Sequence, residues 1–325
     1  METNGSLPPC EVLVAGPYFT DLVFHGLDRP VRPGTEVFAD GFGLVPGGAY
    51  TPAMALHRLG RRVVWSADFG TDPFSAHVLA CARREGLDGA AFRRHPFPVR
   101  SLTVALATEG DRAMVSFQDR VDPAPLVPLL RRFRPKVLLL PQLRWDDGTV
   151  AACRAARELG TLVVMDCHDT PASLDDPAVR TVLALVDVLT PNDGEALRLT
   201  GAGGLDEAVD LLGRLVPTVV VTRGAQGATA VRAGERHDVP AARTATGAAA
   251  VDPTAAGDCF NAGLVHGLLG GWDLPDCLAA ASLCGAAATT GPGSGSALRA
   301  EELDRLLGQR TRPLAPPNSA RSSMR

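Results

Sequence analysis

The sequence predicts an α/β fold in which a mostly parallel sheet is covered by helices on both faces, with a small antiparallel flap beside it. Three observations carry this. Short, β-branched, nearly apolar runs recur at residues 11–16 (EVLVAG), 62–67 (RVVWSA), 136–140 (KVLLL), 161–165 (TLVVM), 186–189 (VDVL) and 217–222 (PTVVVT). Runs of that kind, without polar alternation, belong to strands buried on both faces. Helical stretches lie between them, at residues 51–59, Pro73–Glu85, 148–159, 194–199 and 206–215, and strand–helix alternation builds right-handed parallel crossovers. Residues 19–38 and 99–117 alternate and carry turn residues with no helix between, so they read as the flap.

The last third is helical, at residues 255–269, 274–289 and 300–307, and no internal repeat or linker divides the chain. The expectation is one domain over residues 10–310, its lid formed by about 17–40 and 97–118, with disordered tails at 1–9 and at the Pro/Ser/Arg-rich 311–325. A chain of 325 residues has ample length for a core. Its net charge of −4 gives nothing for nucleic acid or an anionic membrane to hold, and 5% aromatics leave few stacking platforms. No apolar run approaches the roughly 18 residues of a membrane span, and the polar start lacks the apolar core of a signal peptide. Seven scattered cysteines without a CxxC pair fit small buried hydrophobes in a reducing compartment, so a cytoplasmic location is expected.

The chemistry concentrates in residues 251–269, VDPTAAGDCFNAGLVHGLL. A turn at Pro253 leads into the small residues Ala255, Ala256 and Gly257, then Asp258, then a helix. Small residues leave the free N–H groups of a helix start open to an anion, which the macrodipole also favours. An acid beside such a site would repel the anion, unless it serves as the base that deprotonates a hydroxyl next to a phosphoryl group in transit. A first-turn Asp that merely complements the helix dipole has the same appearance.

This stretch resembles the C-terminal signature of the ribokinase-like (PfkB) carbohydrate kinases, D-[TP]-[TS]-[GA]-A-G-D-x-F. Further matches follow in the family's order: residues 12–23 (VLVAGPYFTDLV), 29–37 (RPVRPGTEV), 47–60 (GGAYTPAMALHRLG), 189–201 (LTPNDGEALRLTG) and 219–227 (VVVTRGAQG). The resemblance implies a three-layer αβα fold with a β lid, and an ATP- and Mg²⁺-dependent kinase acting on a primary alcohol. It implies that Asp258 is the catalytic base and that Ala255, Ala256 and Gly257 form the anion hole. Asn192 and Glu195 would lie by the phosphates and hydrated Mg²⁺, a role that their shared helix face suits, although Asn192 after Pro191 also reads as a plain N-cap. Thr222, Gly224 and Gly227 would line the nucleotide, or simply make a turn. Asp252 and Thr254 match positions that bind a monovalent cation such as K⁺ in some members, and ordinary turn chemistry explains them equally well. Asp21 would hold a pair of sugar hydroxyls, with Gly47 and Gly48 passing close to the sugar. A homodimer through the lid is a further implication.

The sequence departs from the family on the acceptor side. Thr51 stands where an Asn often contacts a sugar hydroxyl, after the bulky Tyr50; Gln142 replaces a frequent Glu; and the usual D-x-N becomes Asp166-Cys167-His168-Asp169. The phosphate machinery is kept while the sugar pocket is altered. Acceptors in view are therefore a sugar or sugar-like polyol, or a nucleoside, for which Phe19, Phe38 and Tyr50 would be stacking partners. Arg112 and Phe117 are candidates to reach over the substrate. A non-catalytic sugar-binding sensor is the rival of another class, opposed by the retained Asp258. A dinucleotide-binding oxidoreductase is excluded, because no GxGxxG follows the first strand.

Overall fold

A computed structural model describes residues 10–108, 111–242, 253–291, 293 and 295–310. Nine strands form the larger sheet, in the spatial order β13 (Glu235–Val239), β12 (Ala228–Arg232), β11 (Thr218–Thr222), β10 (Val188–Leu189), β9 (Leu162–Met165), β8 (Val137–Leu140), β1 (Val12–Ala15), β4 (Val63–Phe69) and β5 (Phe92–Arg94). All pairings from β11 to β5 are parallel, and β12 and β13 close one edge as an antiparallel hairpin.

Consecutive strand residues feed opposite cores. Val12, Val14, Leu139 and Val220 pack under α1 (Tyr50–Arg58), α2 (Pro73–Glu85), α8 (Ala256–Leu269), α9 (Leu274–Ala288) and α10 (Ala300–Arg310). Leu13, Leu138, Val163 and Val219 pack under α3 (Leu126–Phe133), α4 (Asp147–Glu158), α5 (Pro177–Leu183), α6 (Asp193–Thr200) and α7 (Leu205–Gly213). The result is three layers, as the continuous apolar strands require. Asp72, Asp146, Asp176, Asn192 and Asp273 each cap a helix by accepting from a first-turn N–H. The glycines of α8 let it lie close on α9: a Cβ on Gly263 would meet Ala280 O at 2.8 Å.

The second sheet is the lid, ordered β3 (Ala39–Gly48), β2 (Tyr18–Leu27), β6 (Ser101–Thr108), β7 (Asp111–Gln118). It consists of two antiparallel pairs joined by a parallel β2·β6 pairing, because both central strands leave the body in the same direction. β3 carries the lid on to Gly48, beyond the boundary expected at residue 40, and residues 28–38, expected in part as strand, are loop. At the lid's root, Tyr18 donates to Val99 O and shares a 2.8 Å hydrogen bond with Ser75, while Asp72 accepts from Ser75 N–H and Val99 N–H at 2.9 Å each. This buried cluster ties both entering strands to the start of α2. Among the described residues no helix is long and apolar enough to cross a membrane.

Candidate active site

The parallel strands end together along one edge of the sheet, and the residues singled out by the sequence stand there. Gly16 follows β1, Gln142 follows β8, Asp166 follows β9, Asn192 follows β10 and Thr222 closes β11. β1 leads to β4 on one side and the later crossovers run to the other, so the strand order reverses beside β1, where open α/β sheets bind ligands. The lid rises from this edge.

Asp258 lies in the first turn of α8, whose start no side chain caps. Burial, and then the negative charge of Asp21, push its carboxyl up to about 7. The lid carboxylate and the helix carboxylate therefore face one site. Among the described residues, nothing lies within 4 Å of where a Cβ on Gly257 would stand. Ala256 N–H is already taken by Pro253 O at 3.1 Å. Asp252 lies outside the described residues, and Thr254 sits in the turn before the helix.

On β2, Asp21 is 8% exposed. A Cβ on Gly47, on the neighbouring strand, would meet Asp21 Oδ2 at 2.2 Å, so glycine makes the room that the carboxylate occupies. Gly48 holds φ +61 and would bring a Cβ to 2.7 Å from Pro17 O. Thr51 is buried in the first turns of α1, and Gln142 is exposed at the sheet edge.

Asn192 and Glu195 form a reciprocal capping box: Glu195 N–H donates to Asn192 Oδ1 and Asn192 N–H donates to Glu195 Oε2, both at 2.9 Å. The helix-cap reading of Asn192 thus holds, and Glu195 shares it. Burial raises the Glu195 carboxyl, against the lowering effect of that N–H. The segment from Thr222 to Gly227 is a tight turn, tied to the capping box by Thr222 N–H donating to Pro191 O at 3.0 Å. Gly227 is required by the turn itself, since at φ +89 its Cβ would lie 2.0 Å from Val239 O. Gly224 fronts open space.

Asn261, outside the expected set, joins Asp166, which the sequence marked only as a departure on the acceptor side. Asp166 accepts from Cys167 N–H and from Asn261 Nδ2, each at 2.7 Å. Burial first, then the charges of Glu195 and Asp258, hold its carboxyl well above the usual range. Asn261 is 3% exposed, and its Oδ1 has no hydrogen-bond partner among the described residues. The available signals were the polar residue ending an apolar strand and the i, i+3 spacing of Asp258 and Asn261 on α8. Among the described residues no three acidic, His or Cys side chains gather closely enough to hold a metal ion directly.

The stacking expectations are corrected. Tyr50 is 3% exposed, edge-on to Trp65 with centroids 5.9 Å apart, inside the core. Phe38 lies in the loop before β3 and is 78% exposed. Phe117 pairs with Leu102 on the lid's outer face, turned away from the substrate side. The side chain of Arg112 lies outside the described residues.

A family model described as pfkB family carbohydrate kinase matches residues 26–301. The chain belongs to that family. This pfkB kinase is 30% identical over 291 residues to a fructokinase of Klebsiella pneumoniae, covering 81% of the present chain and 92% of that one. Its fold is also that of Arabidopsis thaliana ribokinase, solved with ribose and ATP (TM-score 0.77, 20% identity, 92% and 99% of the two chains). The nucleoside kinase of Burkholderia thailandensis, solved with inosine, shares it too (TM-score 0.73, 20% identity, 94% and 100%).

Proposed function

We propose that this pfkB kinase transfers the γ-phosphate of ATP to a primary hydroxyl of a sugar or sugar-like polyol. One observation carries the reading: a carboxyl held up to about 7 in the first turn of an uncapped helix, facing the lid's Asp21. A base poised near the working pH transfers protons most effectively. Asp258 takes the hydroxyl proton, the acceptor oxygen bonds to the γ-phosphorus, and the bond to the bridging β–γ oxygen breaks. ADP leaves with that electron pair. With Ala256 N–H engaged, the amides of Gly257 and Asp258 lead in stabilising the phosphoryl oxygens, and Ala255 and Ala256 keep side-chain bulk away.

Asn192 and Glu195, with Asp166 and Asn261 behind them, suit an ion held through its waters, and bound Mg²⁺ would supply charge neutralisation on the phosphates. Thr222, Gly224 and Gly227 form the nucleotide's wall. Asp21 orients the acceptor, with Gly47, Gly48, Thr51 and Gln142 around it. Asp252 and Thr254 are the proposed K⁺ position. The alternative acceptor is a nucleoside, favoured by the half-buried Phe19 beside Gly47 on the lid.

ADP release from Mg·ATP across pentoses, hexoses, cyclitols, aminosugars and nucleosides tests this. Turnover with one acceptor class is expected, with Asp258→Asn slower by about 10²–10⁴-fold while ATP binding stays within a few-fold. A mutant turning over near the wild-type rate would remove Asp258 as base.

The lid's outer face bears on assembly. Phe42, Val115 and Phe117 there are 56%, 72% and 50% exposed. A sheet face so apolar is covered in a stable protein, and a second copy's lid offers the matching surface.

A further inference from the structure

The lid divides its polar groups unevenly between its two faces. Its outer face carries Leu22, Phe24, Phe42, Leu44, Val104 and Val115, in register across four strands. The face that brings Asp21 toward Asp258 is mixed, with Phe19, Val23, Ala105 and Met114 beside its polar groups. One transverse row there reads Val45, Asp21, Thr103 and Ser116, from β3 through β2 and β6 to β7. Asp21 and Thr103 are each 8% exposed, and the Thr103 and Ser116 hydroxyls share a 3.0 Å hydrogen bond. In the adjacent row Ser101, 2% exposed, keeps its Oγ without a hydrogen-bond partner among the described residues.

We propose that Thr103 and Ser116 extend Asp21 into a polar track that selects a free polyhydroxylated acceptor, a sugar or cyclitol, over a nucleoside. The inference rests on the kinase reading above and deepens it. Neighbouring strands lie about 4.8 Å apart, so the Thr103 hydroxyl stands one strand beyond the carboxylate and Ser116 one strand further, at the rim. Two hydroxyls hold two protons, and their mutual bond uses one. The pair therefore keeps a donor and spare acceptor lone pairs for a ligand, next to a carboxylate that takes a diol. An acceptor with hydroxyls on both sides of its ring satisfies the whole track. A nucleobase laid there would cover hydroxyls that its face cannot pair, and sites built to bond a hydroxyl reject analogues that lack it. A Thr–Ser pair that only joined two strands would not need to share a row and a face with Asp21.

The test is steady-state transfer from Mg·ATP to D-ribose, D-fructose, myo-inositol and inosine by the wild type, Thr103→Val and Thr103→Ser. Valine keeps the shape of threonine but not its hydroxyl, and an unchanged KM for ATP reports that the fold is intact. The wild type is expected to prefer one of the three polyols over inosine. Thr103→Val should raise that acceptor's KM by about 10-fold with the KM of ATP within two-fold, and Thr103→Ser should restore it. Inosine as the best substrate, or an unchanged acceptor KM in Thr103→Val, would overturn the inference and leave the kinase reading standing. Silence with all four acceptors while Mg·ATP still binds would overturn the inference, and silence without any binding of Mg·ATP would strike the kinase reading instead.

Discussion

The main sheet and the lid are built from similar residues and use them in opposite ways. In the main sheet both faces are apolar and both are covered: Leu138 and Leu139 are consecutive, point to opposite cores, and are 0% and 1% exposed. In the lid the inward face holds Asp21, Ser101 and Thr103 among Phe19, Val23 and Val45, while Leu22, Phe42, Val115 and Phe117 face out. The difference separates stability from specificity. Burial holds the body together, at about 25 cal/mol per Å² of apolar surface removed from water. The lid gives up part of that gain on its inner face, where it keeps groups that can bond an acceptor.

If that division is right, damage to each region should read out differently. Among substitutions within the two sheets, the largest effect on activity is expected from Gly47→Ala, whose Cβ would occupy the place of the Asp21 carboxylate. Acceptor kcat/KM should fall by about 10²-fold, the loss of roughly two charge-assisted hydrogen bonds, with the melting temperature little changed. Equal losses for acceptor and ATP would mean that Asp21 does not hold the acceptor. Leu138→Ala should do the reverse, costing about 2–5 kcal/mol in a denaturant titration while the acceptor KM stays within two-fold. Smaller in energy is the effect of Phe117→Asp on the outer face, which sedimentation should register as conversion of a dimer to monomers that still turn over. A wild type that sediments as a monomer would show that another surface covers those side chains, or none.

The two regions also differed in how much the sequence revealed. The body's strands were legible because burial on both faces leaves an apolar run, and β1, β4, β8, β9 and β11 lie within a residue or two of the expected spans. α3 was not expected, because residues 123–128 carry three prolines. In the structure Pro125 is the N-cap and Pro128 sits in the first turn, where a missing N–H costs nothing. The β12–β13 hairpin turns on Ala233 and Gly234, both at positive φ, and Ala gives no hint of such a turn. β3 is masked in sequence by Gly41, Gly43, Gly47 and Gly48, which weaken any strand signal. The residues proposed for the phosphate side were picked out by motifs, since they sit at or before the starts of α6 and α8. The Asp166–Asn261 pair and the Asp21–Thr103–Ser116 row were not, because tertiary packing alone brings those residues together.

The central claim is that Asp258 is a base whose proton affinity the site itself has raised. Burial and Asp21 favour its neutral form, so the active carboxylate is lost as pH falls through about 7. The most direct measurement is the pH dependence of kcat/KM for the acceptor, taken at saturating Mg·ATP from pH 5 to 9. An acidic limb near pH 7 with a slope of about one is expected, the titration of a single essential base. A rate that stays flat down to pH 5 would contradict it, because the essential base would then have an ordinary carboxylate's affinity for its proton.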